Sequence, residues 1–425
     1  MIKNILSRAL KNHHLALSSF NLMLATGITA AFGFVFWIVV ARSFSTGIVG
    51  LATTLISVSG LISLLGLAGF DTIFIRFLSK SKRRNDQINS GLVITAITSA
   101  FISLFFCLLI PILSPRLRFV DNNLWYIISF VVFTIFTTWN TLTNAALIAY
   151  RRTSFVLLIN IIFSAIKMSL PFIVRSGGPM TIFLFVGIAQ AVNVLLSMAA
   201  LAKYFDYVPS FRVHFDIIKQ TLRFGMIVYF STTLSLLPAT ALPIIVVDKL
   251  GATAEAYFYI AFTIANLLYT IAYSTAQATL AEASHDEEHL MAHIRKSITI
   301  MSCLLIPAIT LVVLICPWVL SLFNAHYKYG ATGILRIMAI SGLAIMFYSI
   351  LKTLFVLTNN LKAAAATSAS NALSIVILGL VFAKHWGLIG IGWAWFIGSF
   401  VSVFVGVLFV FMSIMSRRYL SSEAL

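Results

Sequence analysis

The chain alternates between long apolar runs and short polar breaks. Runs fall at about 18–40, 48–70, 91–113, 124–149, 155–174 and 181–202. After a polar stretch they resume at about 224–247, 256–280, 297–322, 334–358, 364–382 and 388–416. Each suits a helix crossing about 30 Å of hydrocarbon, which takes roughly 20 residues, and is about twice the length of a barrel strand. Backbone in lipid must satisfy its own hydrogen bonds, so these runs predict helices. The expectation is an all-α polytopic membrane protein with about 12 transmembrane helices.

Composition narrows the class. Of 425 residues 60% are apolar and 10% charged, against roughly 45–50% and 25% in soluble proteins. That argues against a soluble enzyme, a nucleic-acid binder and a secreted disulfide scaffold. Cys107, Cys303 and Cys316 all lie in apolar runs and read as buried thiols. The formal charge of +17 is mostly topology. Nineteen Lys and Arg fall in breaks on the N-terminal side of the membrane and seven on the opposite side, which predicts both termini in the cytoplasm. The excess then faces anionic lipid, with no nucleic acid implied. Lys3, Arg8 and Lys11 precede a run from Phe20 that is longer than a signal-peptide core and continues through Trp37 and Val39, so it reads as a retained first span.

The break at 203–223 divides the chain into an N-lobe, 1–202, and a C-lobe, 224–425, with six spans in each. The phrase from Val39 to Thr46 precedes a similar one from Val246 to Thr253 by 207 residues. In both, an apolar span ends in a base and a short small-residue turn leads to the next span. An even number of spans separates the copies, so the two lobes form a parallel internal repeat, an arrangement common in transporters with a site between the halves.

The stretch from Phe36 to Leu78, FWIVVARSFSTGIVGLATTLISVSGLISLLGLAGFDTIFIRFL, resembles the opening of Wzx-type O-antigen and polysaccharide flippases. These form the polysaccharide transporter family of the MOP exporter superfamily. Ile244 to Ile264, IIVVDKLGATAEAYFYIAFTI, is similar to that family's pattern after its seventh span. The resemblance implies a MOP/MATE-like fold in the bacterial inner membrane. It also implies a polyprenyl-diphosphate-linked oligosaccharide carried to the periplasmic leaflet by alternating access, with other polysaccharide assembly proteins as partners and no cofactor. Two departures narrow the branch. Spans 1 to 6 hold no clearly internal carboxylate of the kind drug exporters use, and there is no room for the fourteen spans typical of lipid II flippases.

Such a cargo needs cations for phosphate and hydrogen-bonding groups for hydroxyls. Lys167, Arg336 and Lys352 lie in spans, while all twelve acids fall outside spans or near their ends. An anionic ligand is the simplest missing partner, although each base is near enough to an interface to snorkel. Arg42 and Arg76 end the first two spans as headgroup contacts or interfacial anchors. Asp71 and Asp248, at the far ends of spans 2 and 7, are gate candidates or solvated turn carboxylates. Asn266, Tyr269, Tyr273 and Gln277 recur at spacings of three and four in span 8, one helical face suited to sugar stacking or to helix–helix contact. Asn140 and Asn144 repeat the pattern in span 4, where packing is the better reading.

Pro238 and Pro243 predict a bend in span 7, either a hinge or a fixed shape. His285, His289 and His293 share a helical face but lack the Glu of a zincin motif, so no metal site is read there. Gly387, Gly390 and Gly392 do not form a dinucleotide fingerprint, and no Walker A sequence occurs. Membrane potential suffices in sign, because outward transfer gains roughly 2.3 kcal/mol per negative charge per 100 mV. Two rivals stay open: an exporter of a smaller anionic or amphipathic solute on the same fold, and a membrane polysaccharide polymerase or ligase. The longest outer break, roughly eleven residues, is short for the second.

Overall fold

The computed structural model describes residues 24–283 and 289–422. Lys3, Arg8, Lys11, the start of the first span and His285 lie outside the described residues, as does the acidic run beside that histidine. The described chain is predominantly helical, with no strand among the described residues. Its helices are α1 (Leu24–Ser43), α2 (Thr46–Leu67), α3 (Phe70–Phe77), α4 (Arg84–Leu113), α5 (Leu124–Ala149), α6 (Thr153–Ile173) and α7 (Pro179–Phe205). There follow α8 (Phe215–Leu250), α9 (Ala252–Ala283), α10 (Leu290–Ser321), α11 (Ala325–Gly330), α12 (Thr332–Leu357) and α13 (Leu361–Ser422). Eleven helices are long and apolar enough to cross a membrane among the described residues.

Local chemistry sets the breaks. The Ser45 hydroxyl accepts from the Ile48 amide and starts α2, and the Asn123 carboxamide accepts from the Trp125 amide and starts α5. Left-handed backbone at Ala68 and Gly69 ends α2. The sequence predicts a plain break from 71; instead the short helix α3 follows, burying Phe70, Ile73 and Phe74 on one face. The third span also begins earlier than its apolar run, at Arg84, because its first turns carry polar side chains.

The last two predicted spans form one continuous helical stretch that reverses at a single residue. Gly387 takes φ 58° and ψ −138°, outside the helical region. The limb after it packs back on the limb before it. Ser374 donates to the Gly398 carbonyl at 3.0 Å, and Asn371 donates to Ser402 at 3.2 Å. Gly398 lets the limbs touch, since a Cβ there would meet the Ile375 amide. With two limbs in α13, the described residues hold twelve apolar helical segments long enough to cross a membrane, as the apolar pattern predicts.

Two compact units divide at Phe230 and Ser231, inside α8. Unit 1 has a core of Phe74, Ile88, Leu142, Leu147 and Leu201 from α3, α4, α5 and α7. In unit 2, α12 is packed by α9, α10 and α13 and buries residues around most of its circumference.

The stretch between α7 and α8 is shorter than its polarity suggests and is fastened. Asn89 in α4 donates to the Val208 carbonyl and accepts from the Tyr207 hydroxyl at 2.6 Å and the Ser210 amide at 3.1 Å. Asn85 donates to the Asp206 carbonyl, and Ser90 accepts from the His214 amide. Burial pushes the Tyr207 phenol up to about 12, so it stays a donor at neutral pH. Residues 206–214 are therefore a strap along the first turns of α4.

Candidate functional site

Unit 1 places Lys167 on α6, half-buried, with its ammonium 4.8 Å from the centre of the Phe36 ring and 5.7 Å from that of Phe163. Phe36, on α1, is fully buried. Two ring faces replace part of the lost hydration, an attraction of about 2 kcal/mol or more when desolvated. No carboxylate pairs with Lys167 among the described residues.

Unit 2 places Lys352 in a hydroxyl network. Its ammonium donates to Ser235 of α8 at 2.8 Å, Ser235 donates to Ser368 of α13 at 3.4 Å, and Ser368 meets the Tyr348 hydroxyl at 3.3 Å. This group joins three helices without a carboxylate among the described residues. The sequence finds the lysine but not Ser235, Tyr348 or Ser368, which lie 117, 4 and 16 residues away.

The other candidates are dispersed. Arg336 is exposed and donates to the Val313 carbonyl at 3.4 Å. Arg42 and Arg76 are exposed at helix ends, Arg76 lying 5.6 Å from the Phe77 ring centre. Asp71 is half-buried in the first turn of α3, and Asp248 pairs with the adjacent Lys249 at 2.9 Å. The α9 stripe splits. Asn266, Tyr273 and Gln277 are exposed, whereas Tyr269 is 1% exposed, donates to the Met338 carbonyl at 2.7 Å and stacks on Trp395. Tyr269 therefore joins α9 to α12 instead of presenting a ring for a ligand. Helix α8 continues through Pro238 and Pro243.

Three features go beyond the sequence reading, which has only Asn140 and Asn144 of the first, as packing residues of span 4. Unit 1 holds an uncharged polar seam, in which Asn144 donates to Asn140, Asn140 to Gln190, Asn193 to Asn160, and Ser197 to Asn193. Ser99 with Thr138 and Thr134 with Ser59 extend it. Beside it lies a cavity of about 190 Å³ between α2, α5 and α7, walled by Phe133 and Phe183 and reached by Gln190. The third is Glu255, which lies in the first turn of α9 yet is fully buried. The Tyr327 phenol is held above its ordinary range, first by burial and then by the nearby negative charge of Glu255. A helix-end carboxylate looks solvated in sequence, and only the fold brings α11 over it.

A bundle of long apolar helices, with cations and amides in its interior, has the architecture of a membrane transporter. Solved structures agree on that fold. A multidrug resistance MATE family transporter of the MOP superfamily, in an inward-facing conformation, matches with a TM-score of 0.69 at 17% identity, over 93% of this chain and 99% of its own. The lipid II flippase MurJ, in an inward closed conformation, matches at 0.73 and 14% identity, over 91% and 87%. A MOP superfamily transporter from Pyrococcus furiosus matches at 0.55 and 16% identity, over 95% and 96%. No curated protein sequence matches the chain. The family described as polysaccharide biosynthesis protein matches residues 39–328, and the chain belongs to that family.

Proposed function

We propose that the protein is a flippase for a polyprenyl-diphosphate-linked oligosaccharide, an O-antigen or related repeat unit. It carries this cargo from the cytoplasmic to the periplasmic leaflet of the bacterial inner membrane by alternating access of its two lobes. It works as a transporter and performs no covalent chemistry. The observation that carries this reading is the pair Lys167 and Lys352. Each is a cation inside a span, one in each unit, with ring faces or hydroxyls as neighbours and no carboxylate among the described residues. A half-buried cation inside a span with neutral partners is unfavourable unless an anion visits it. The diphosphate of such a lipid supplies about two negative charges, and the membrane potential favours their outward transfer. Family membership supports a polysaccharide substrate, and the likeness to a lipid II flippase supports a lipid-linked one.

The test is flipping in proteoliposomes loaded with a polyprenyl-diphosphate oligosaccharide, read by accessibility of the glycan to an external cleaving enzyme. Wild-type protein is expected to flip, and Lys167→Ala and Lys352→Ala are each expected to slow it about tenfold, which corresponds to about 1.4 kcal/mol. Flipping untouched by either substitution would keep the function and return both lysines to packing. Folded protein that moves none of several glycans under imposed potentials would overturn the reading in favour of a smaller anionic solute.

A further inference from the structure

We propose that unit 1 carries a second anion site at the start of α4, which binds a phosphate ester on a membrane lipid. An open groove of about 630 Å³ lies there, lined by Lys80, Lys82, Arg83, Arg84, Asp86 and Phe205 among others. Its two arginines are held in place, while Lys80 and Lys82 stand exposed at its edge. Arg84 donates to the Ser79 and Ser81 carbonyls at 3.1 and 3.2 Å and lies over the Tyr150 ring, which stacks in turn on Phe205. Arg83 donates to Asp86 at 2.7 Å and to the His214 ring at 3.0 Å. Asp86 thus answers Arg83, while Lys80, Lys82 and Arg84 have no carboxylate partner among the described residues. The first turn of α4 adds backbone donors, since no side chain caps it.

The neighbouring strap identifies the source of the phosphate as a membrane surface. One end of the strap, Asp206, lines the groove, and its other end, His214, bonds to Arg83. Between these ends Phe211 is 93% exposed and Val208 65% exposed, although the backbone around them is hydrogen-bonded to α4. An immobilised apolar pair beside a cationic groove suits the headgroup boundary, where rings enter the lipid and bases meet phosphate. A groove for a soluble phosphate has no use for the exposed ring. This site is separate from Lys167 and Lys352 and stands whether or not the proposed cargo is correct.

The experiment uses full-length protein in phosphatidylcholine nanodiscs doped with phosphatidylglycerol, with bound lipid counted by native mass spectrometry. Lys80→Gln/Lys82→Gln is expected to weaken retention about 30-fold, because each lysine loses a charge-assisted hydrogen bond to the phosphate. Arg295→Gln/Lys296→Gln removes the same charge from unit 2 and is expected to change retention less than twofold. Equal losses from the two pairs would mean general attraction to an anionic surface and would overturn the site. A parallel arm replaces phosphatidylglycerol with polyprenyl diphosphate. Stronger groove-dependent retention of that lipid supports the site with the diphosphate lipid as its occupant, and weaker retention supports it with a phospholipid headgroup. Binding of soluble diphosphate as tight as either lipid, or lipid retention unchanged in Phe211→Ser, would overturn the membrane assignment.

Discussion

Arg336 donates from its Nε to the backbone carbonyl of Val313, 3.4 Å away on α10. That carbonyl has lost its helical donor, because Pro317 lies one turn further on and has no amide. Cys316 also turns its thiol to the same oxygen at 3.4 Å. The guanidinium is therefore explained by a proline on a neighbouring helix.

Arg336→Met should lower stability by about 1 kcal/mol, the cost of one such bond, and should do so much less in a Pro317→Ala background, where the amide is restored. Thermal unfolding of the four proteins in one detergent measures this coupling. An equal cost in both backgrounds would separate the two residues.

The reversal at Gly387 depends on backbone alone. A Cβ there would meet nothing within 4 Å, yet a φ of 58° with ψ −138° is strained for any L side chain. Gly387→Ala should cost about 1–3 kcal/mol. Gly390→Ala should cost more, since its Cβ would run into the Phe382 carbonyl. Thermal unfolding gives the order, and a harmless Gly387→Ala would mean that the limbs reverse in another way.

Asn89 fastens the strap through three hydrogen bonds. Asn89→Ala should speed hydrogen exchange across 206–214 and cost about 2–3 kcal/mol, because buried partners lose their bonds. Tyr207→Phe removes one bond and should cost about 1 kcal/mol. Exchange that rises across all of α4 instead would indicate loss of the helix and not of the strap.

Asp121, in the turn before α5, has one carboxylate oxygen buried without a partner. Burial raises its pKa, with Arg118 pulling the other way. A raised acid pKa means the folded state binds the proton more tightly, so Asp121 costs stability as pH rises through its folded value and not at lower pH. Asp121→Asn should stabilise the protein at pH 7, by about 0.5 kcal/mol for a partly exposed turn, and should lose that advantage near pH 3. Melting temperatures at the two pH values test the sign.

The fold is legible wherever hydropathy alone decides. Span 4 is read at 124–149 and forms Leu124–Ala149. The pattern fails where a helix carries its polar residues for a local reason. Asn85, Asp86 and Asn89 push the apparent start of span 3 to 91, since nothing in the sequence says that a strap 120 residues away takes up their hydrogen bonds. The site is less legible. Periodicity puts Tyr269 and Tyr273 on one face of α9, but the neighbour that buries Tyr269 and leaves Tyr273 38% exposed belongs to α12. Lys167 and Lys352 stand out because a charge in an apolar run is visible by itself, whereas Phe36 and Ser235 are ordinary residues until the helices meet.

The strap also has a mechanical consequence. Fastened along its nine residues to α4, the segment between α7 and α8 holds no slack. Beyond it α8 runs unbroken from Phe215 to Leu250, past the boundary between the units at Phe230 and Ser231. The two units are therefore joined through a helix and not through a loose tether. Pro238 and Pro243 weaken that beam about two turns beyond the boundary and further on. The link between the units is thus a continuous helix, and both of its prolines fall on the second unit's side of the boundary.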